Sequence, residues 1–332
     1  MRKRRKGRIN QKSKWSEDLV ELIKTKYPHL GGKLYDSYNE FKDAGISFEA
    51  MTKKAERLRV RFKPDFILRK DEGSAGETNK IVRLTTTGEK IRLVPVGDIH
   101  VGAPENLCDW KKLIGTLKYI EDTPDTYMIG MGDYGDFATK MSHGPSVYQQ
   151  TLSPQQQYEA ILNAFKPLAV KGKILGVIAG NHDDWIGDAV GIDIVRNLAR
   201  ELNTAYLASG ASIYIYVNDK RYVINIRHGV GAAKEPHTKL QSLYKQTRNL
   251  FADIFLMGHT HSLSISKSSY VLEGIEHKTY RILTGSFLKW NQSYAMEFGM
   301  VPEPTGVAKI SLFDRSKTVD KYNSKADIHV SV

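Results

Sequence analysis

Five short polar motifs, each placed directly after a short apolar run, constrain the fold of this chain most strongly. The motifs are Asp98-Ile99-His100, Gly132–Asp136, Gly180–Asp183, His228-Gly229 and Gly258–His261. Carboxylate, amide and imidazole groups of this kind bind divalent transition metals. A short apolar run predicts a buried strand, and open α/β sheets place their ligand sites beyond the carboxyl ends of the strands. The pattern therefore predicts an α/β fold in which five strand ends build one site for two metal ions.

Alternating strand and helix patterns surround these motifs from residue 81 onward. We predict strands over 91–96, 127–131, 174–179 and 254–257, hairpins over 81–96 and 213–226, and late strands near 268–272, 279–284 and 307–313. Helices are predicted over 109–120, 154–170, 192–202 and 238–250. The second helix has Ser153 as its cap and Pro154 at its first position. Hairpins mixed with strand–helix units predict a four-layer α-β-β-α sandwich, with two sheets face to face and helices outside them.

Positive charge is concentrated in the first 70 residues. The whole chain has 49 Lys/Arg and 37 Asp/Glu, a net charge of +12, and residues 1–70 hold 20 of the former and 9 of the latter. Nearly all of the excess, +11, therefore belongs to this segment. Such asymmetry is typical of an arm or module that binds a polyanion, nucleic acid above all. A solvated charged tail that aids solubility has the same composition.

Three helical patterns follow a basic arm in this segment. The arm, residues 1–14, lacks apolar periodicity and is expected to order only on binding, and helices are predicted over 17–26, 33–43 and 47–60. A tight turn before the third helix resembles a helix-turn-helix unit of the Myb or homeodomain-like kind, which contacts DNA through that helix. The candidate nucleic-acid contacts are Arg2, Lys3, Arg4, Arg5, Lys6, Arg8, Lys53, Lys54 and Arg57. Small three-helix units also mediate protein contacts, so that alternative stays open.

Composition narrows the class of protein further. At 41% hydrophobic residues and a mean hydropathy of −0.41, the chain is typical of a soluble globular protein with a core. It contains no run of roughly 18 apolar residues that would predict a membrane span, and no apolar stretch follows the basic N-terminus as in a secretory signal. The single cysteine, Cys108, excludes an intrachain disulfide and a cysteine-based zinc site. A reducing, cytoplasmic location fits this cysteine usage.

The five motifs resemble those of the calcineurin-like metallophosphoesterases, a family that includes Ser/Thr phosphatases, the Mre11/SbcD nucleases and cyclic-nucleotide phosphodiesterases. All five blocks, D-x-H, G-D-x-x-D, G-N-H-D, H-G and G-H-x-H, occur in family order within residues 91–312. One G-H-x-H alone is weak evidence, whereas five ordered blocks, each after a predicted strand, are specific. The resemblance implies phosphoester hydrolysis by a hydroxide that two metal ions share.

The resemblance also implies a role for each motif residue. A first metal ion would be held by Asp98, His100, Asp133 and His261, and a second by Asp133, Asn181, His228 and His259. His182 would be the catalytic histidine that protonates the leaving oxygen or stabilises its charge, and Asp136 would orient His182. For the two divalent ions we expect manganese, with iron and zinc as alternatives that these nitrogen and oxygen ligands also suit.

The resemblance and the basic segment together divide the chain into five parts. These are a basic arm over 1–14, a helix-turn-helix-like module over 15–62, a linker over 63–80, the phosphoesterase domain over 81–315 and a C-terminal tail over 316–332. This order favours a phosphodiesterase or nuclease acting on DNA, or on RNA, as in a bacteriophage enzyme or the Mre11/SbcD group. The module in front of the core, and the lack of an evident capping domain behind it, depart from that group.

Two other functions stay open from the sequence. The front module can instead localise a small-molecule or protein phosphatase or a cyclic-nucleotide phosphodiesterase, or the chain can be a DNA-binding scaffold with a vestigial core. All seven ligand positions are filled, which argues against the scaffold. Substrate contacts are expected from the loop 137–152 and the aromatic segment 285–294, with His143, Trp290 and Tyr294 as candidates. The alternatives there are polar surface and core, and the sequence does not specify an oligomeric state.

Overall fold

The computed structural model describes residues 81–86, 88–104, 107–140, 142, 147–218, 220–231, 233–272, 274–290, 296, 299, 301–314 and 328–331, and four residues nearer the N-terminus. Those four are Asp18, Val20, Glu21 and Lys54, and each is helical. The chain separates into two compact units, residues 1–67 and 68–332. Apart from those four residues, the three helices predicted in the first unit lie outside the described residues, as do the basic arm and the linker.

Strands and helices alternate through the second unit. The strands are β1 (Ile81–Thr86), β2 (Lys90–Val96), β3 (Thr126–Gly130), β4 (Ile174–Val177), β5 (Gly210–Val217), β6 (Lys220–Arg227), β7 (Ile254–Met257), β8 (Leu263–Leu272), β9 (Ile275–Ser286), β10 (Gly306–Val307), β11 (Lys309–Phe313) and β12 (Ile328–Ser331). The α-helices are α1 (Trp110–Asp122), α2 (Pro154–Val170), α3 (Asn181–Val190), α4 (Ile194–Glu201) and α5 (Pro236–Thr247), with a short 3-10 helix at Val147–Gln149. None of the helices in the described part of the chain is long and apolar enough to cross a membrane.

Two mixed sheets carry the core of this unit. The smaller sheet has the strand order β12-β11-β2-β3-β4, and the larger has the order β1-β5-β6-β7-β9-β10 with β8 paired to β9. Helices α1, α2 and α4 contribute Leu113, Phe165 and Leu198 to the cluster that covers the smaller sheet. Helix α5 packs on the larger sheet through Leu243. The expected α/β sandwich, with helices outside the sheets, is confirmed.

Parallel pairing places the motif loops at one edge of each sheet. Strands β2, β3 and β4 run parallel to one another, and so do β6 and β7. Each of these five strands is separated from one motif by no more than two residues, in agreement with the predicted order. Because the carboxyl ends of parallel strands meet at the same edge, three motif loops leave the smaller sheet side by side and two leave the larger one. Strands β4 and β7 are buried along their whole length, as apolar runs in covered sheets are.

The hairpin predicted over 81–96 is wrong, whereas the hairpin over 213–226 is confirmed. Strand β1 pairs in parallel with β5 in the larger sheet, while β2 lies between β11 and β3 in the smaller one. Every residue of β2 except Lys90 and Arg92 is buried. A two-stranded hairpin cannot cover such a strand on both faces, so the chain crosses from one sheet to the other between β1 and β2. Strands β5 and β6 alternate in burial and pair antiparallel around Asn218.

Two further elements do not follow from apolar patterning. Helix α3 begins at Asn181, inside the third of the five motifs, and most of its residues are polar or small. Strand β12 lies in the segment assigned to the C-terminal tail and pairs antiparallel with β11. By contrast, helix α2 has the predicted bounds, because Ser153 and Gln156 cap it reciprocally and Pro154 fits its first position.

Candidate metal centre

Backbone geometry at the strand ends turns the motif side chains toward one another. Asp98, His100, Asp133, His259 and His261 all have positive φ, from 47° to 64°. Residues other than glycine seldom adopt this left-handed conformation, which costs about 1–3 kcal/mol where the backbone is strained. Five such residues at one site indicate that the surrounding fold holds them there for function.

Three side chains form a first group of candidate ligands. The Nε2 atoms of His100 and His261 lie 3.1 Å apart, and Asp98 Oδ1 lies 3.4 Å from His261 Nε2. One ligand atom from each of the three residues lies within 4.8 Å of the others. The loops after β2 and β7, which belong to different sheets, thus bring one carboxylate and two imidazoles together.

A second group lies around Asp133. Its Oδ2 is 3.1 Å from His228 Nε2, and Asp133, His228 and His259 offer three atoms within 4.8 Å of one another. Asn181 Oδ1 lies 3.2 Å from His228 Nε2 and 2.8 Å from His259 Nδ1. Asp133 Oδ2 also lies 3.9 Å from His100 Nε2. This carboxylate therefore stands between the two groups.

Hydrogen bonds to main-chain carbonyls decide which ring nitrogen of two histidines faces the second group. His228 donates from Nδ1 to Met131 O at 2.8 Å, and His259 donates from Nε2 to Gly231 O at 2.8 Å. Each proton is thereby placed on the outer nitrogen, and the inner nitrogen of the neutral ring keeps a lone pair. Lone pairs of imidazole, carboxylate and amide then converge, which is the arrangement that a divalent cation requires. The residues present therefore fit the implied metal ions.

In the second group of candidate ligands, the charges of Asp133 and His228 shift each other's pKa values. Burial lowers the pKa of His228, but the Asp133 carboxylate outweighs burial and raises this pKa to about 10. For Asp133, burial raises the pKa, while the charge of His228 brings it well below its usual range. A proton on His228 thus balances the carboxylate as a bound cation would, and metal binding is expected to release that proton.

His182 lies beside the first group and is held by the main chain of Asp136. The Nδ1 of His182 donates to the Asp136 carbonyl oxygen at 2.7 Å, whereas the Asp136 carboxylate Oδ1 lies 3.6 Å away. The same Oδ1 lies 3.5 Å from His100 Nδ1. Asp136 therefore contacts His182 through its carbonyl oxygen, and its carboxylate faces both histidines. That Asp136 orients His182 stays a prediction.

The protonation of His182 depends on its enclosure. Burial lowers the pKa of His182 to about 4, against the opposing charge of Asp133. The ring is then neutral at neutral pH, with its proton on Nδ1 and a lone pair on Nε2. A phosphoester brings negative charge close to the ring and favours protonation of Nε2.

The loops after β3 and β4 are locked together by two features, of which sequence reasoning missed the first. The Asp183 carboxylate accepts hydrogen bonds from the main-chain N–H groups of Asp133, Tyr134 and Gly180, at 2.7, 3.2 and 2.9 Å. Burial, and then the charge of Asp133, raise the pKa of Asp183 to about 8. A Cβ added to Gly180 would lie 2.2 Å from Asp133 Oδ1, so only glycine permits this approach. The sequence signal for the first feature is an acidic residue three positions after the helix cap.

The loop that follows Asp136 is anchored by two glutamines. Gln157, on α2, is fully buried, and its Oε1 accepts from Phe137 N at 2.9 Å. Its Nε2 donates to Gln150 Oε1 at 2.6 Å, and Gln150 bonds both main-chain groups of Ala138. The loop expected to contact substrate is therefore tied at both ends to α2.

Of the three candidate substrate contacts, the structure describes Trp290. Trp290 is half-buried and ends a segment in which Phe287 N donates to Asp98 O and Lys289 N donates to Leu107 O. That segment supports the loop after β2, and substrate contact by Trp290 stays a prediction. His143 and Tyr294 lie outside the described residues, as do Arg2, Lys3, Arg4, Arg5, Lys6, Arg8, Lys53 and Arg57.

Two sheets that deliver two groups of metal-binding side chains, with a histidine beside them, define the class of dimetal phosphoesterases. The profile of the family described as calcineurin-like phosphoesterase matches residues 91–284. This stretch is more than half of the sequence and contains all seven candidate ligands, and the chain belongs to that family. It is therefore a metal-dependent phosphoester hydrolase of a family that uses a dimetal centre.

Three of the solved structures to which this chain is similar are distant from it in sequence. Wild-type Vps29 from Entamoeba histolytica, complexed with Zn²⁺, is 15% identical, with 68% of this chain and 88% of that chain covered and a TM-score of 0.33. A metallophosphoesterase from Sphaerobacter thermophilus is 12% identical, with 68% and 84% covered and a TM-score of 0.32. A predicted phosphoesterase from Streptococcus pneumoniae is 14% identical, with 69% and 86% covered and a TM-score of 0.30. Among curated proteins, none matches the sequence.

Proposed function

We propose that this protein is a phosphodiesterase that cleaves nucleic acid, with DNA favoured over RNA. The observation that supports this substrate is the charge of residues 1–70, which hold +11 of the net +12. Phosphate backbones bind basic segments through the release of counterions, largely without regard to sequence. The basic segment would hold the polyanion while the site at the strand ends hydrolyses it.

The metal ligands in this proposal are the two groups that meet at Asp133. Asp98, His100, Asp133 and His261 would hold the first ion, and Asp133, Asn181, His228 and His259 the second. Bound there, two divalent ions would supply a water of lowered pKa and neutralise charge on the non-bridging phosphate oxygens. Manganese is the favoured ion, and iron or zinc would suit the same mixture of oxygen and nitrogen ligands.

His182 would act on the leaving oxygen. Because its Nδ1 is bound to the Asp136 carbonyl, Nε2 is the atom free to face the substrate. Substrate binding favours uptake of a proton from solvent at Nε2. As the bond from phosphorus to the leaving oxygen breaks, Nε2 donates that proton to the oxygen, and the ring returns to its neutral form. Water is the nucleophile, so we expect no covalent phospho-enzyme.

Cleavage assays with the full-length protein test this proposal. The substrates are single- and double-stranded DNA, RNA and bis(p-nitrophenyl) phosphate, each with manganese. We expect DNA to be cleaved, and we expect glutamine at the six basic positions of the arm to slow that cleavage without changing turnover of the small ester. Those positions are Arg2, Lys3, Arg4, Arg5, Lys6 and Arg8.

Two results would contradict the proposal. Turnover of the small ester without any nucleolytic activity would favour a small-molecule or protein phosphatase whose front module localises it. Failure to hydrolyse any ester, with DNA still bound, would favour a scaffold with a vestigial core.

A further inference from the structure

The His182 ring is enclosed on three sides. Its Nδ1 is bound to the carbonyl oxygen of Asp136 at 2.7 Å. The ring of His100 meets it edge-on, with centroids 4.4 Å apart and planes at 90°. The indole of Trp185 lies against it with centroids 3.9 Å apart and planes at 41°. The ring cannot tilt without losing one of these contacts, and of the three neighbours only Trp185 lies outside the five motifs.

The position of Trp185 follows from helix geometry. Residues three apart lie on the same face of an α-helix, and α3 begins at Asn181, so Trp185 stands about one turn after His182. The indole is half-buried. Its helix neighbour Ile186 packs on the hydrophobic core, whereas Trp185 is not among the described side chains that do so. Among the described contacts, the indole packs against His182 rather than against the hydrophobic core.

A role in substrate binding is the alternative for such a ring. Aromatic side chains beside nuclease sites can stack on nucleobases. Here one face of Trp185 lies against His182 at a distance typical of a packed aromatic pair, so that face is not open to substrate. The contact favours a role through His182 over a role through direct binding.

We propose that Trp185 is a positioning residue that holds the His182 ring in the orientation needed to donate its Nε2 proton to the leaving oxygen. The inference rests on the proposed role of His182 and does not depend on which phosphoester is the natural substrate. The rate of proton transfer falls when donor and acceptor are misaligned. An imidazole that is free to tilt is therefore a less effective general acid. The contribution of Trp185 therefore grows as the leaving group becomes more dependent on that proton.

A series of methyl aryl phosphates whose phenols differ in acidity tests this inference. Weakly acidic phenols require a proton to leave, whereas strongly acidic ones leave as phenolates. His182→Asn should steepen the dependence of kcat on phenol acidity. Trp185→Leu should steepen it in the same direction and lower kcat for the least acidic phenol roughly 10-fold, a fraction of the 10²–10⁴ that a general acid contributes. For the most acidic phenol, kcat should stay nearly unchanged.

Two controls separate positioning from a general loss of structure. Trp185→Phe keeps an aromatic face and should restore most of the lost kcat, and Val190→Ala changes an exposed residue of the same helix and should have no effect. A readout independent of activity is the NMR signals of the His182 ring, assigned by their absence in His182→Asn. These signals should shift in Trp185→Leu as the ring current of the indole is removed, while metal content stays unchanged.

Other outcomes would overturn the proposal. An equal loss of kcat across the series, or an unchanged dependence on phenol acidity, would show that Trp185 does not act through proton transfer. A rise in KM alone would assign the indole to substrate stacking. A wild-type protein that hydrolyses aryl esters but not DNA would contradict the nuclease proposal and leave this test intact, and one that hydrolyses no ester would contradict both.

Discussion

His182 stands close enough to two candidate ligands to be mistaken for a third. One atom each of His100, Asp133 and His182 lies within 4.8 Å of the others, yet the Nδ1 of His182 is bound to the Asp136 carbonyl. We predict that His182→Asn keeps two metal ions per chain and lowers kcat by about 10² or more, since general acid catalysis contributes about 10²–10⁴. Metal analysis beside steady-state kinetics checks this. Loss of metal together with activity would make His182 a ligand.

For individual residues, the sequence predicts which side chains lie close together but not the backbone conformations and hydrogen bonds that orient them. Carboxylates and imidazoles that stand just after apolar runs identify residues such as Asp98 and His261, because ligand sites in open α/β sheets lie beyond the carboxyl ends of the strands. The positive φ of Asp98 and the carbonyl contact of Asp136 depend on loops from other strands. The same holds for the three main-chain contacts of Asp183, so these features require the structure.

Among the secondary-structure elements, α2 supports the site through Gln157. Its buried amide bonds Phe137 N, Gln150 Oε1 and Leu152 O. We predict that Gln157→Leu, which nearly keeps the volume, lowers the free energy of unfolding by about 1–3 kcal/mol, because buried polar groups lose their partners. Denaturant titration measures the change. Gln155→Leu, on the exposed face of the same helix, is the matched control and should change stability little; equal effects would contradict the assigned role.

The helices and strands also show which sequence signals are sufficient to predict the bounds and pairing of an element. Helix α2 has both predicted bounds because its cap residues act locally. Strand β1 does not pair with β2, since the pairing of a strand depends on which neighbours can cover it rather than on its own residues. Helix α3 lacks an apolar stripe, because its first turn presents Asn181 and His182 to the site.

Across the whole molecule, the excess of positive charge lies in residues 1–70, whereas the candidate metal ligands lie in residues 98–261. We predict that replacing Arg2, Lys3, Arg4, Arg5, Lys6 and Arg8 by glutamine in the full-length protein flattens the salt dependence of DNA binding. The slope of log K against log salt should fall by up to about 5, since each neutralised phosphate contributes about 0.9. Binding measured over a range of salt concentrations checks this.

A second variant, with three exposed lysines of the outer helices replaced, tests whether total charge alone determines the slope. Lys111, Lys118 and Lys166 are exposed on the outer helices, and glutamine at these positions should leave the slope nearly unchanged. Flattening in proportion to the charge removed, with the three-residue set giving half the effect of the six-residue set, would mean that net charge alone governs DNA binding. An unchanged slope in the six-residue variant would mean that the arm does not touch phosphates.

We expect seven side chains from five loops to hold two divalent ions, with Asp133 between them. Anomalous scattering from crystals grown with manganese measures this most directly. We predict two peaks per chain, about 3.5–4 Å apart, one beside Asp98 and His261 and the other beside His228 and His259. Both peaks should be weaker in Asp133→Asn. No peak at these residues, or a single ion that Asp133→Asn leaves in place, would contradict this prediction.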